Sequence, residues 1–304
     1  MHITKNPNWS ASPTPFTKKM MIDKESIGKM VAHHLRLGID GIFVAGTCGE
    51  GPWITDTMFR ELLSETVKTS KGRLTISCQV TENSEIKIKE KMKLAADCGA
   101  DIAVLAPPYF LFNACESRLM QFYREVVNYS PIPVGIYDRG KNGAVQVPES
   151  VITDALSNPK VAVLKDSSDD PARMQNALQC LKLNPEIKLL TGAEFKIIDY
   201  LKNGFHGATS GGGIFIGRLA DLIIKAHLEG KSADAGKYQN IANTLMYIVY
   251  GGKQITCWLT GLKYLLVKLG IFSTYDSILK YPLTEECRNS IDKAVEEYHE
   301  YLVP

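Results

Sequence analysis

The chain has 304 residues, 45% of them hydrophobic, and a formal net charge of +2. That is enough apolar material for a large core, and the near-neutral charge offers no broad attraction to nucleic acid or to an anionic membrane surface. No apolar run approaches the ~20 residues that span a bilayer, and Met1–Pro15 lacks the apolar centre of a secretory signal.

A short β-branched run, a polar or glycine-bearing turn and a helical stretch recur along the sequence. The first strand is expected near Ser10–Phe16, although Pro13 and Pro15 remove ladder donors there. Further strands are predicted at Gly41–Gly46, Leu74–Val80, Ile102–Ala106, Ile132–Tyr137, Val161–Lys165, Lys188–Gly192 and Gly207–Ser210. Between them, Ile27, Met30, Val31, His34 and Leu35 follow i, i+3, i+4 spacing, as do Ile88, Met92 and Ala95. Gly38 and Gly99 stand where these helices should stop. The units repeat at roughly the length of one βα unit. Eight of them predict an α/β chain with a closed (β/α)8 barrel over residues 1–230, in preference to an open doubly wound sheet. From Arg218 to Leu302 only helical segments are predicted, broken at Gly230, Gly251–Gly252, Gly270 and Pro282. The first is the eighth barrel helix; residues 231–304 make a C-terminal helical extension.

The seven cysteines are scattered without a Cys-x-x-Cys pair and read as reduced thiols of a cytoplasmic protein. The six histidines are not spaced with them as zinc ligands would be, so no metal is expected.

In a barrel the chemistry sits at the C-terminal ends of the strands. Lys165 is there, last after the apolar run Val161–Leu164. Burying an ammonium is costly. One reading is a snorkelling lysine or an ion pair with Asp166; the other is a neutral amine able to attack a ketone. Tyr137 closes the preceding strand, either as an amphipathic cap or as a phenol that shuttles protons beside Lys165. Gly46-Thr47-Cys48-Gly49-Glu50 closes the second strand, and its glycines allow a tight turn whose N–H groups converge on an anion. The Thr47 hydroxyl adds a donor, while Glu50 reads as a structural charge that orders the loop. Gly211-Gly212-Gly213 after the eighth strand offers either close backbone packing or a phosphate cradle.

Taken in this order, these elements resemble the dihydrodipicolinate synthase/N-acetylneuraminate lyase family. The matching residues are Thr14-Pro15-Phe16, Gly46–Glu50, Pro108-Tyr109, Tyr137, Lys165, Gly192 and Gly207. The resemblance implies a pyruvate or other 2-oxo acid held as a Schiff base on Lys165. It also implies proton transfer by Tyr137, carboxylate binding by Thr47, Cys48 and Gly49, and Gly192 lining the site; Thr209, at the end of the eighth strand, is a further candidate for substrate contact by its position. Thr47 counts with Lys165 and Tyr137 in the catalytic set. No metal or organic cofactor is implied, and the assembly is expected to be a homo-oligomer, tetramer or dimer.

The departures bear on the substrate. Cys48 stands where the family has a second hydroxyl residue, and Phe110 stands where it often has a relay tyrosine. The stretch Tyr137-Asp138-Arg139-Gly140 replaces Tyr-Asn-x-Pro. The candidates for a carboxylate clamp in this loop are Lys141 or Asn142, with Arg139 close by; a lysine lacks an arginine's bidentate fork. These features favour a Schiff-base lyase, aldolase or dehydratase, acting on a 2-keto-3-deoxy sugar acid or related substrate. Thr209, Ser210, Asp138, Arg139, Lys141 and Asn142 are expected to supply polar contacts to such a chain. The alternatives are a dihydrodipicolinate synthase, a non-catalytic barrel that binds a 2-oxo acid, and a phosphosugar isomerase-like barrel using the triple glycine.

Overall fold

Strand alternation divides the side chains of the sheet into two apolar sets, and the barrel follows from that division. The computed structural model describes residues 3–304; Met1 and His2, at the head of the expected barrel unit, lie outside the described residues. Eight parallel strands close in sequence order: β1 (Asn8–Ala11), β2 (Gly41–Val44), β3 (Thr75–Gln79), β4 (Ile102–Leu105), β5 (Val134–Asp138), β6 (Val161–Asp166), β7 (Lys188–Thr191) and β8 (Gly207–Ser210). Trp9 of β1 pairs with Gly41 of β2 on one side and Thr209 of β8 on the other, which completes the ring.

Trp9, Ala11, Phe43, Ile102, Val104, Tyr137, Val163 and Leu190 form one cluster, in the barrel's interior. The alternate residues Ile42, Val44, Ile76, Leu105, Ile136, Leu164 and Leu189 belong to a separate cluster shared with the surrounding helices. The two-residue pleat of a strand produces this division.

The helices are α1 (Lys24–Arg36), α2 (Asp56–Ser70), α3 (Glu85–Asp97), α4 (Glu116–Tyr129), α5 (Glu149–Leu156), α6 (Pro171–Cys180), α7 (Ile197–Lys202) and α8 (Gly213–Leu228). Asp23, Thr55 and Ser84 start α1, α2 and α3 by accepting from the N–H groups of Ser26, Met58 and Lys87. Of the predicted periodic faces, Ile27, Met30, Val31 and His34 on α1 and Ile88, Met92 and Ala95 on α3 are buried, while Leu35 is partly buried. Gly38 and Gly99 follow these helices with φ of 78° and 85°, as the stop signal requires. Beyond α8 come α9 (Ser232–Tyr250), α10 (Trp258–Lys268), α11 (Glu285–Glu297) and α12 (His299–Leu302), with no strand among the described residues there. No helix of the described residues is long and apolar enough to cross a membrane.

Some strand boundaries differ from expectation. β1 lies at Asn8–Ala11, not Ser10–Phe16. Pro13 and Pro15 cannot donate to a ladder, so pairing is completed before them; Phe16 makes only an isolated bridge to Ile22. β2 stops at Val44 because Ala45 turns to φ 53°. β5 begins after Pro133 rather than at Ile132.

Candidate active site

Lys165 and Tyr137 are direct partners across the β5–β6 pair, so both project into the barrel at its C-terminal mouth. The Lys165 amine lies 4.5 Å from the centroid of the Tyr137 ring and 5.1 Å from that of Phe43. Phe43 stands edge-on to Tyr137, with centroids 6.3 Å apart and an interplanar angle of 88°. Three rigid strands thus aim one amine between two rings. Lys165 is 8% exposed and Tyr137 7%. The alternative of an ion pair between Lys165 and Asp166 is excluded by geometry. Asp166 faces the other side of the strand, where its Oδ1 accepts from the Ser168 N–H at 2.8 Å.

The cavity beneath the amine is lined by Trp9, Phe43, Ser77, Val104, Val163 and Thr209. Thr209 is buried and its hydroxyl has no hydrogen-bond partner among the described residues. Gly192 closes another side. A Cβ there would stand 2.9 Å from the Lys165 Cε and 2.0 Å from the Ser167 Oγ, so the lysine's path is open only because this residue is glycine. The same distances reveal Ser167, which the sequence reading missed. It lies two residues beyond Lys165, and strand alternation applied one step further would have placed it on the same side.

The turn after β2 is closed by its own backbone. Gly51 N donates to the Gly46 carbonyl and Glu50 N to that of Thr47, closing a tight loop. The N–H groups of Thr47, Cys48 and Gly49 have no backbone acceptor among the described residues. The Cys48 thiol points instead at the Gly211 carbonyl, 3.6 Å away, and burial pushes its pKa up to about 12, so it is a neutral thiol rather than a thiolate. Glu50 is structural, as expected. Buried completely, it accepts from Lys263 Nζ of α10, from the Ser277 hydroxyl at 2.9 Å and from the Ile278 N–H at 2.6 Å. The C-terminal segment therefore holds the turn that carries Thr47 and Cys48.

The loop after β5 is only partly as expected. The Arg139 guanidinium lies 6.0 Å from the Tyr137 ring centroid, at the mouth. Lys141 and Asn142 are exposed on the short turn Gly140–Asn142 that follows. Asp138 does not face the site. It alternates outward with Asp166, where Arg173 donates to both of its oxygens at 2.8 and 2.7 Å. Ser210 likewise alternates away from Thr209, and its buried hydroxyl faces the helix layer. The expectation that Asp138 and Ser210 contact a substrate is thus corrected by strand parity. Phe110 is 67% exposed and its ring has left the barrel, whereas Tyr109 turns inward and bonds the Gln79 amide.

A model of the dihydrodipicolinate synthetase family matches residues 8–298. The chain belongs to that family. It is 25% identical over 289 residues to a 4-hydroxy-tetrahydrodipicolinate synthase of Chlorobium luteolum, covering 93% of this chain and 94% of that one. It is 26% identical over 245 residues to an N-acetylneuraminate lyase of Rhizobium meliloti, covering 79% of each. The solved dihydrodipicolinate synthase of Bacteroides thetaiotaomicron superposes with a TM-score of 0.88 at 27% identity, covering 98% of this chain and 100% of that chain. The chain is accordingly an enzyme of the pyruvate-dependent lyase kind.

Proposed function

We propose that the chain is a class I lyase in which Lys165 forms a Schiff base with pyruvate or with the 2-oxo group of a longer acid. The observation that carries this is the meeting of Lys165 and Tyr137 as register partners, with the amine 4.5 Å from the phenol ring centroid at the barrel mouth. The Lys165 amine attacks C2. The Tyr137 hydroxyl delivers a proton to the developing alkoxide and assists loss of water. The phenolate so formed takes the proton of the C4 hydroxyl as the iminium draws the electrons of the C3–C4 bond, or a proton from C3 as the C4 hydroxyl leaves as water; the phenol returns that proton to the enamine or to the leaving hydroxyl, and water hydrolyses the imine to free the product and the Lys165 amine. The N–H groups of Thr47, Cys48 and Gly49 and the Thr47 hydroxyl receive the carboxylate, while Arg139, Thr209 and Gly192 border the rest of the ligand. No cofactor takes part in these steps.

The substrate that fits best is a 2-keto-3-deoxy sugar acid or a related polyhydroxylated acid, cleaved or dehydrated. Thr209 offers an unpartnered hydroxyl in the cavity, and Ser167 stands beside Lys165. Cys48 and Phe110 replace hydroxyl residues useful to a synthase. The second reading, 4-hydroxy-tetrahydrodipicolinate synthase, is favoured by that name among the relatives and by the Arg139 guanidinium near the Tyr137 ring. A homo-oligomer and a cytoplasmic location accompany either reading.

Incubation with pyruvate and borohydride should fix one reduced pyruvyl group per chain, mapped to Lys165 and lost in Lys165→Ala. An adduct that persists in Lys165→Ala places the amine elsewhere. Pyruvate release from a panel of 2-keto-3-deoxy acids, run beside condensation with aspartate semialdehyde, then decides the substrate. Condensation with kcat/KM of roughly 10⁴ M⁻¹s⁻¹ or above, with no sugar acid turned over, restores the synthase.

A further inference from the structure

In many barrels the loops after the seventh and eighth strands, together with a helix N-terminus, bind a substrate phosphate. Gly211–Gly213 provides that backbone here, and α8 begins at Gly213 with Gly212 as its N-cap. The place is already filled by the chain itself. Glu194, on the turn after β7, reaches over, and its Oε2 accepts from the Gly212 N–H at 2.6 Å. Its Oε1 accepts from the Tyr250 hydroxyl of α9 at 2.9 Å. The Gln239 amide, also from α9, donates to the Glu194 carbonyl at 3.1 Å and fixes the turn from below. A Cβ on Gly211 would stand 3.4 Å from the Glu194 Oε2, and one on Gly212 2.9 Å from the Tyr250 hydroxyl. The triple glycine therefore lets a carboxylate and a phenol close over it.

This carboxylate is part of the mouth. The Cys48 thiol of the anion turn bonds the Gly211 carbonyl at 3.6 Å, and Glu194 stands against the same glycine. Burial raises the Glu194 carboxyl above its ordinary range, against the opposing pull of the Gly212 N–H, the Tyr250 hydroxyl and Lys165. Two donors pointing at its oxygens mark it as an acceptor, which is the role a phosphate would take there.

We propose that Glu194 is a specificity-determining residue: its carboxylate occupies the anion position of the Gly211–Gly213 turn and excludes phosphorylated substrates, so the site takes unphosphorylated 2-oxo acids. A phosphate ester arriving at the mouth meets a like charge where a barrel of the phosphate-binding type offers free N–H groups. The Gly212 donor is already used, and the Tyr250 phenol blocks approach from the α9 side. The word substrate rests on the Schiff-base reading of Lys165; the filled anion position does not.

The test compares the full-length protein with Glu194→Ala and Glu194→Gln. Titration with inorganic phosphate, followed by ³¹P NMR or calorimetry, should show no saturable binding to the wild type and saturable binding to Glu194→Ala. The ratio of kcat/KM for a terminal phosphate ester of a 2-keto-3-deoxy acid over its parent acid should rise at least tenfold in Glu194→Ala. In Glu194→Gln, which keeps the volume and loses the charge, it should rise several-fold. Trapping of pyruvate on Lys165 in each variant reports a folded mouth, and the Gln variant carries the test if the Ala variant does not fold. The proposal is overturned if the wild type binds phosphate at this turn or turns over both acids equally. It is equally overturned if folded variants gain neither binding nor the change in ratio. Absence of a pyruvate adduct in the wild type defeats the Schiff-base reading alone, because phosphate binding remains a separate measurement.

Discussion

Replacing Lys263 by methionine removes the cation that faces Glu50 while keeping most of the side chain's volume. Both residues are completely buried, and they stand 213 positions apart in the sequence. Burial pulls the Lys263 pKa down from its ordinary value, against the attraction of Glu50. In Lys263→Met, Glu50 keeps the Ser277 hydroxyl and the Ile278 N–H but has no counter-charge, and the Asp276 carbonyl loses a donor at 2.9 Å. Leaving one partner of a buried pair uncompensated costs about 3–5 kcal/mol. For a chain of this size that is a fall in Tm of roughly 6–10 °C. Lys263→Met combined with Glu50→Gln removes both charges, so its loss should be at least ~1 kcal/mol smaller than the sum of the two single losses. Because Glu50 ends the turn that carries Thr47 and Cys48, the pyruvate concentration needed for half-maximal trapping at Lys165 should rise in the single variant. Thermal and urea unfolding, with trapping as a function of pyruvate, measure both effects. A Tm change under about 2 °C, strictly additive single losses or an unaltered pyruvate dependence would each refute the coupling between the C-terminal helices and the anion turn.

Three further outcomes follow from the site and the core. Tyr137→Phe should fold normally yet lose about 10²-fold or more in turnover, the scale of lost acid–base assistance; near-normal kcat assigns proton transfer to another group. Gly192→Ala should cut turnover by about 10²-fold, since a methyl 2.9 Å from the Lys165 Cε must displace the reacting amine; unchanged trapping rates with pyruvate would show that the amine does not use this path. His33 and His34 are held neutral, with burial as the main cause, and their pKa values are lowered to about 4 and about 3. A base with a lowered folded pKa leaves the unfolded state binding more protons below about 6.5. Its stability is therefore present above that pH and lost as pH falls toward the folded value. Between pH 6 and pH 5 the wild type should lose about 1.2 kcal/mol more than His34→Gln does; equal slopes in urea unfolding would show that His34 is protonated in the native protein.

Most of the barrel was legible in the sequence because its signals are local. A β-branched run followed by a helix with i, i+3, i+4 apolar spacing needs only neighbouring residues to be read, and Gly38 and Gly99 mark helix ends by their own backbone preference. Lys165 after four apolar residues and Tyr137 at the end of the preceding strand were legible for the same reason. Strand parity, applied one residue further, also separates Ser167 from Asp166, and Tyr137 from Asp138. The position of β1 was not local, since it depends on where Asn8–Ala11 can pair with β2 and β8 at once, and that is settled only when the ring closes. Nor does any spacing in the sequence announce that Lys263 meets Glu50, or that Glu194 and Tyr250 cover Gly212. Those contacts join residues 18, 56 and 213 positions apart, and whether each charge finds its partner is decided by the packing of the C-terminal helices against the barrel. The sequence by itself determined which strand ends carry an amine, a phenol and a glycine turn. The tertiary structure alone decided which of the surrounding carboxylates turn outward from the mouth, which hold the loops, and which closes over the Gly211–Gly213 turn.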